Sequence, residues 1–119
     1  MKNTQLSFAD GIQIQVPDSL HLITPYVLLE QQDWFEDEIS FVRQILPPGS
    51  KAIDIGANFG VYTLSMARCV GPQGRVWAYE PASSTADALT ASVALNGFSQ
   101  VSVERCAVSS APGVAQLQL

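Results

Sequence analysis

Two glycines, Gly56 and Gly60, lie between a short apolar run and a helical pattern, and this junction constrains the fold more than any other feature. The apolar run over residues 51–56 has the length of a buried strand, and residues 59–70 have the pattern of a helix. A second strand pattern follows over residues 75–79. A strand, a helix and a strand in this order predict a βαβ unit with two parallel strands and a right-handed crossover.

The same alternation continues towards the end of the chain. A helix is predicted from Ser83 or Ser84 to residue 97, and a third strand over residues 101–108. Residues Val114 to Leu119 alternate in polarity and predict a final antiparallel strand. The sequence therefore predicts an α/β fold, a Rossmann-like parallel sheet with crossover helices.

The first fifty residues follow a different pattern. Residues 6–16 alternate around Asp10-Gly11, which predicts a β-hairpin. A short helix is predicted over residues 26–32, and a longer helix is expected to begin at Asp33, with Glu36 completing a capping box. We therefore divide the chain into residues 1–50, a hairpin with leading helices, and residues 51–119, half of a ligand-binding α/β domain.

The predicted sheet is incomplete. A doubly wound sheet has about five to seven strands, and this sequence supplies three parallel strands and one antiparallel strand. We expect the chain to be the N-terminal part of a longer protein. The alternative is self-association, in which the open sheet edge at Val114–Leu119 pairs with a second copy.

Composition narrows the possible partners. The chain has 119 residues, 47% hydrophobic and 14% charged, with a net charge of −5, which indicates one packed domain. The excess of acidic residues disfavours nucleic acid as a partner. No apolar run approaches the ~20 residues of a membrane span, and no signal segment is recognised, so we predict a cytoplasmic location.

Several side chains are expected to be buried. Cys69 and Cys106 are expected to be buried and reduced, without a metal site. The aromatic side chains of Trp34, Phe35 and Phe41 are expected in the core.

The loop between the first strand and its helix carries the candidate site. Ligands of open α/β sheets bind at the carboxyl ends of the strands, and the two glycines let a ligand approach the backbone. Asp54, two residues before Gly56, would repel a pyrophosphate and attract an ammonium group. The dinucleotide fingerprint also requires a middle glycine, which is absent from Gly56-Ala57-Asn58-Phe59-Gly60. A nicotinamide cofactor is therefore disfavoured.

The end of the next strand supplies the second part of the site. An acidic side chain at Glu80, before Pro81, can accept hydrogen bonds from both hydroxyls of a ribose. An ammonium at Asp54 and a ribose at Glu80 describe S-adenosylmethionine. Ala107 and its neighbours, at the end of the third strand, would then flank the adenine.

Residues 52–63, Ala-Ile-Asp-Ile-Gly-Ala-Asn-Phe-Gly-Val-Tyr-Thr, and residues 71–81, ending in Tyr79-Glu80-Pro81, closely resemble the FkbM-type family of S-adenosylmethionine-dependent methyltransferases. The resemblance implies a class I methyltransferase fold and transfer of a methyl group to a hydroxyl of a sugar, glycolipid or polyketide-like acceptor, so the partner would be a small molecule or a glycan. The cofactor-binding residues that the motifs imply are Asp54, Gly56, Ala57, Asn58, Gly60, Thr63, Glu80, Pro81 and Ala107.

Several assignments stay open at this point. Asn58 could contact the ligand or bond the loop to itself, and Thr63 could contact the ligand or pack. No general base is identified. The single histidine, His21, lies before the helix that is predicted to begin at Asp33, and it is expected to be a surface or loop residue. The alternative functions are a non-catalytic S-adenosylmethionine-binding module, a NAD-dependent oxidoreductase domain, and an assembly role through the open sheet edge.

Overall fold

The computed structural model describes residues 2–9, 11–19 and 21–118. Within these ranges the elements follow one another in this order: β1 (Asn3–Phe8), β2 (Ile12–Pro17), α1 (Ile23–Gln31), α2 (Asp37–Ile45), β3 (Lys51–Ile55), α3 (Val61–Val70), β4 (Arg75–Tyr79), α4 (Ser83–Leu95) and β5 (Val101–Glu104). The predicted α/β fold is confirmed.

The central sheet is parallel, in the order β3-β4-β5. On one face, the buried side chains of Val76 and Ala78 pack against α3 and α4 respectively. On the other face, Ile53 and Ile55 of β3 are 61% and 63% exposed. Both helices that follow strands of this sheet therefore lie on the same face, as right-handed crossovers in this strand order require.

The hairpin of β1 and β2 is docked on α4 by side chains of the helix. Asn96 Oδ1 accepts the backbone N–H of Gln13 at 2.9 Å, and Asn96 Nδ2 donates to the carbonyl of Gln13 at 2.7 Å. Ser92 Oγ accepts the N–H of Gln15 at 2.7 Å. These bonds satisfy backbone groups on the free edge of β2, and the buried face of the hairpin packs into a hydrophobic core that also contains Val61 of α3. The domain boundary at residue 50 stays a prediction. Side chains from before and after this residue pack in the same hydrophobic core.

The helices before β3 differ from the prediction at their starts. The first helix begins at Ile23 instead of residue 26, because Pro25 is tolerated in a first turn, where its missing N–H has no helical acceptor. The predicted capping box at Asp33 and Glu36 is wrong. The second helix begins at Asp37, and both carboxylates instead bind side chains elsewhere in the fold.

The end of the chain also differs. The third strand of the sheet ends at Glu104, not residue 108, and residues 114–118 form no strand. A single alternating segment needs a hydrogen-bonded neighbour to become a strand, and Val114 is fully exposed here. The edge on which the self-association prediction relied is therefore not formed among residues 114–118, and Leu119 lies outside the described residues.

Three side chains expected inside lie outside. Phe35 and Phe41 are 55% and 61% exposed, because they lie just before and within α2 on the side that faces away from the core. Cys106 is exposed in the segment after β5, and Cys69 is partly buried. Across the described ranges, no helix has the length and apolar character needed to cross a membrane.

Candidate functional site

The loop after β3 is fastened to the end of β4 by its own backbone. The N–H groups of Gly56 and Ala57 both donate to the carbonyl of Tyr79, at 2.9 and 3.0 Å. The N–H of Gly60 then turns back to the carbonyl of Ala57 at 3.0 Å. The loop is therefore a compact turn that joins the carboxyl ends of two adjacent parallel strands, which is where ligands of open α/β sheets bind.

Asp54 lies near the end of β3 and is held by the first turn of α3. Thr63, which is completely buried, donates its hydroxyl to Asp54 Oδ2 at 2.6 Å. Burial of the Asp54 carboxyl raises its pKa, and the negative charge of Glu80 raises it further, while the hydrogen bonds from Thr63 act in the opposite direction. A partly desolvated carboxylate of this kind is stabilised by a cation bound beside it.

Glu80 anchors the opposite side of the loop. Its side chain is only 8% exposed, with Oε1 accepting the N–H of Asn58 at 2.8 Å and Oε2 accepting the N–H of Ala82 at 3.0 Å. Asn58 has a φ of +55°, a left-handed conformation that Asn adopts more readily than most residues. Each oxygen of a carboxylate can accept two hydrogen bonds, so both retain capacity for a ribose hydroxyl.

The two glycines of the loop differ in their surroundings. A Cβ atom on Gly56 would meet nothing within 4 Å, so the loop is open to a ligand at this residue. A Cβ atom on Gly60 would clash with Leu89 Cδ1 in the core. Gly60, the N-cap residue of α3, therefore lets the end of the loop lie close to Leu89 of α4, whereas Gly56 leaves space above the backbone.

Pro81 and Ala107 belong to a cavity that the residues of the Gly56 loop do not line. Together with the segment over residues 105–117 they line a cavity of about 890 Å³ beside the end of β5. Ala107 is exposed, and Pro81 follows Glu80 directly. The structure thus joins Asp54 to Thr63, and Glu80 to Asn58, through hydrogen bonds around one loop, while Pro81 and Ala107 line the neighbouring cavity.

Sequence reasoning missed the connection between Glu36 and α3. Glu36 Oε1 accepts the hydroxyl of Tyr62 at 3.1 Å and the indole N–H of Trp34 at 2.6 Å. Tyr62 immediately precedes Thr63, so this contact adjoins the Asp54 site. No local signal in the sequence indicates it, because the partners are 26 residues apart.

The described part of the chain contains no group of three or more His, Cys, Asp or Glu side chains placed to hold a metal ion. No protein-family model matches the chain. A search of curated proteins finds the methyltransferase sdnD of Sordaria araneosa, which is 38% identical over 73 residues. This alignment covers 60% of the chain but 28% of sdnD, so the chain spans less than a third of the length of that relative.

Solved structures with the same fold include two from thermophiles. Pyrococcus horikoshii TYW2, in complex with MeSAdo, matches 93% of this chain and 38% of its own, with a TM-score of 0.65 and 19% identity. A SAM-dependent O-methyltransferase of Thermotoga maritima matches 86% of this chain and 40% of its own, with a TM-score of 0.56 and 22% identity. At these identities the likeness concerns the fold, which is the Rossmann-like fold of class I methyltransferases, present in part.

Proposed function

We propose that this chain contains the cofactor-binding part of an S-adenosylmethionine-dependent methyltransferase. The observation that carries the proposal is the pair of carboxylates, Asp54 and Glu80, at the ends of adjacent parallel strands on either side of the open Gly56 loop. The fold shared with methyltransferases and the similarity to sdnD support the same class.

The described residues suit the parts of this cofactor. Asp54 would accept the α-ammonium group, whose charge offsets the cost of burying the carboxylate. Glu80 would accept the ribose hydroxyls with the lone pairs that the N–H groups of Asn58 and Ala82 leave available. Pro81 and Ala107 would border the adenine in the cavity beside β5. Gly56, Ala57, Asn58, Gly60 and Thr63 would shape the loop between these groups.

When bound, the cofactor supplies a methyl group on a positively charged sulfur. An acceptor oxygen would form the new bond to carbon while the carbon–sulfur bond breaks, leaving its electron pair on sulfur and releasing the hydroxyl proton to a base. The contribution of this chain would be to hold the cofactor in a fixed orientation, which is the main requirement of an in-line displacement.

The FkbM-type resemblance of residues 52–63 and 71–81 supports a finer proposal, that the acceptor is a hydroxyl on a sugar, glycolipid or polyketide-like molecule. Its test is transfer of isotopically labelled methyl groups to representatives of the three acceptor classes by the full-length protein. Label on none of them, with label on an RNA or a protein instead, would contradict this acceptor. A cytoplasmic location stays a prediction from the sequence.

The cofactor proposal is tested by calorimetric titration with S-adenosylhomocysteine, the reaction product. Asp54→Asn and Glu80→Ala are each expected to weaken binding roughly tenfold or more, because the first removes the charge that pairs with the ammonium group and the second removes the acceptor of the ribose hydroxyls. Asp18→Asn is the matched control, since Asp18 is exposed after β2. Unchanged affinity in the two folded site variants would refute the site.

A binding module without catalysis is the second candidate, since Asp54, Glu80 and the open Gly56 loop would hold the cofactor without acting on an acceptor. Labelled methyl transfer by the 119-residue chain to any of the same acceptors would exclude it.

A further inference from the structure

The segment from Asp33 to Glu36 is linked to α3 directly through Glu36 and indirectly through Arg43 of α2, which pairs with Asp33. Asp33 forms a two-pronged ion pair with Arg43, at 2.9 and 2.8 Å, and Arg43 Nη2 also donates to Ser65 Oγ at 3.2 Å. At the other end, Glu36 Oε1 accepts the hydroxyl of Tyr62 at 3.1 Å. The segment is therefore linked to α3 at both ends, by Tyr62 at Glu36 and by way of Arg43 at Asp33.

The two attachment points on α3 lie on the same side of the helix. Tyr62 and Ser65 are three residues apart, a spacing that places side chains on one helical face. Thr63 belongs to the same first turn and holds the Asp54 carboxylate at 2.6 Å. Any shift of this turn would therefore move the hydroxyl that orients Asp54.

Glu36 is a suitable partner for this attachment. Its carboxylate is partly buried and already receives the indole N–H of Trp34 at 2.6 Å. Burial first, and then the hydrogen bond to Glu36, raise the pKa of Tyr62 to about 12. The protonated phenol is the donor in this hydrogen bond.

We propose that Glu36 is a positioning residue for the amino-acid half of the cofactor, acting through Tyr62 and the first turn of α3 on Thr63 and Asp54. This inference rests on the proposed function. It does not extend to the adenosine half, because Glu80 is held by the backbone of Asn58 and Ala82, outside that turn.

The two halves can be measured separately. S-adenosylhomocysteine carries both the adenosine and the amino acid, whereas methylthioadenosine lacks the amino acid. In calorimetric titrations, Glu36→Ala and Tyr62→Phe are each expected to weaken S-adenosylhomocysteine about three- to tenfold and to leave methylthioadenosine unchanged. Glu36→Gln retains an acceptor oxygen and is expected to bind both ligands like the unmodified chain.

Two further variants make the test specific. The double variant Glu36→Ala with Tyr62→Phe should bind S-adenosylhomocysteine no more weakly than the weaker of the two single variants. Both single changes remove the same hydrogen bond, the one between Tyr62 and Glu36. Tyr26→Phe makes the same chemical change at an exposed tyrosine of α1 and should alter neither affinity. Tyr62→Phe deletes a single hydroxyl, so it keeps the test valid if Glu36→Ala fails to fold.

The contrary results separate two failures. Equal losses of affinity for both ligands would mean that Glu36 only stabilises the fold. Unchanged S-adenosylhomocysteine affinity in Glu36→Ala and Tyr62→Phe would mean that Glu36 has no role in binding. Either result overturns this inference and leaves the proposed function standing. If the folded, unmodified chain binds neither ligand, the proposed function falls together with it.

Discussion

At the scale of single residues, Asp54 combines a structural cost with a proposed binding role. Burial disfavours its charged form and raises its pKa above the ordinary value of 3.8. At pH values between 3.8 and the folded pKa, Asp54 is therefore still protonated in the folded protein, whereas it has released its proton in the unfolded chain. As the pH rises from about 3.8 through the folded pKa, this residue lowers the free energy of unfolding, and the loss persists at neutral pH.

Replacing Asp54 by Asn should remove that cost. Asn keeps a carbonyl oxygen for the Thr63 hydroxyl but has no charge to bury. In urea unfolding at pH 4, 5 and 7, the free energy of unfolding of Asp54→Asn relative to the unmodified chain should rise with pH. A relative stability that is constant or falls with pH would show that the carboxylate is not destabilised by burial.

Gly60 provides a second prediction at this scale. Its φ of +98° disfavours a side chain, and a Cβ atom here would clash with the buried Leu89. Gly60→Ala should lower the free energy of unfolding by about 1–3 kcal/mol, from backbone strain and overpacking. Gly56→Ala is the matched control: it has the strain without the clash and should cost less. Equal losses in chemical denaturation would argue against the packing role of Gly60.

At the scale of elements, the sequence predicts best where the determining interactions are local. The bounds of β4 follow from a five-residue run, apolar after Arg75, that succeeds a glycine loop, and α4 is predicted within two residues of its ends. The predicted helix cap at Asp33 and Glu36 is wrong, because their partners, Arg43 and Tyr62, become neighbours only in the folded chain.

The same distinction applies to the candidate site. Asp54 and Glu80 could be recognised because strand ends of a βαβ unit meet at one edge of the sheet. The bond from the Asn58 N–H to Glu80, and the separate packing role of Gly60, depend on the loop conformation and on α4. Residue patterns do not contain that information.

The docking of the hairpin on α4 gives a prediction for elements. Asn96 bonds both the N–H and the carbonyl of Gln13, so Asn96→Ala leaves two backbone groups of an edge strand without their partner. The free energy of unfolding should fall by about 1–3 kcal/mol in thermal or urea denaturation. Affinity for S-adenosylhomocysteine in the folded variant should stay unchanged, and a loss of affinity would mean that the hairpin contributes to the site.

At the scale of the whole molecule, one face of the three-stranded sheet is packed and the other exposes Ile53 and Ile55. The match to this chain covers less than half the length of each of these two solved structures, those of Pyrococcus horikoshii TYW2 and the Thermotoga maritima O-methyltransferase. The loop, Asp54 and Glu80 all lie within the part that is present, and their contacts involve described residues. We therefore expect this part of the fold to bind the methyl donor by itself.

Calorimetric titration of the folded chain with S-adenosylhomocysteine, with NAD as the comparison ligand, tests this claim most directly. We predict saturable binding of one S-adenosylhomocysteine per chain and no binding of NAD, because Asp54 repels a pyrophosphate and Asn58 occupies the position of the middle glycine. Preferential binding of NAD, or no binding of S-adenosylhomocysteine, would contradict it.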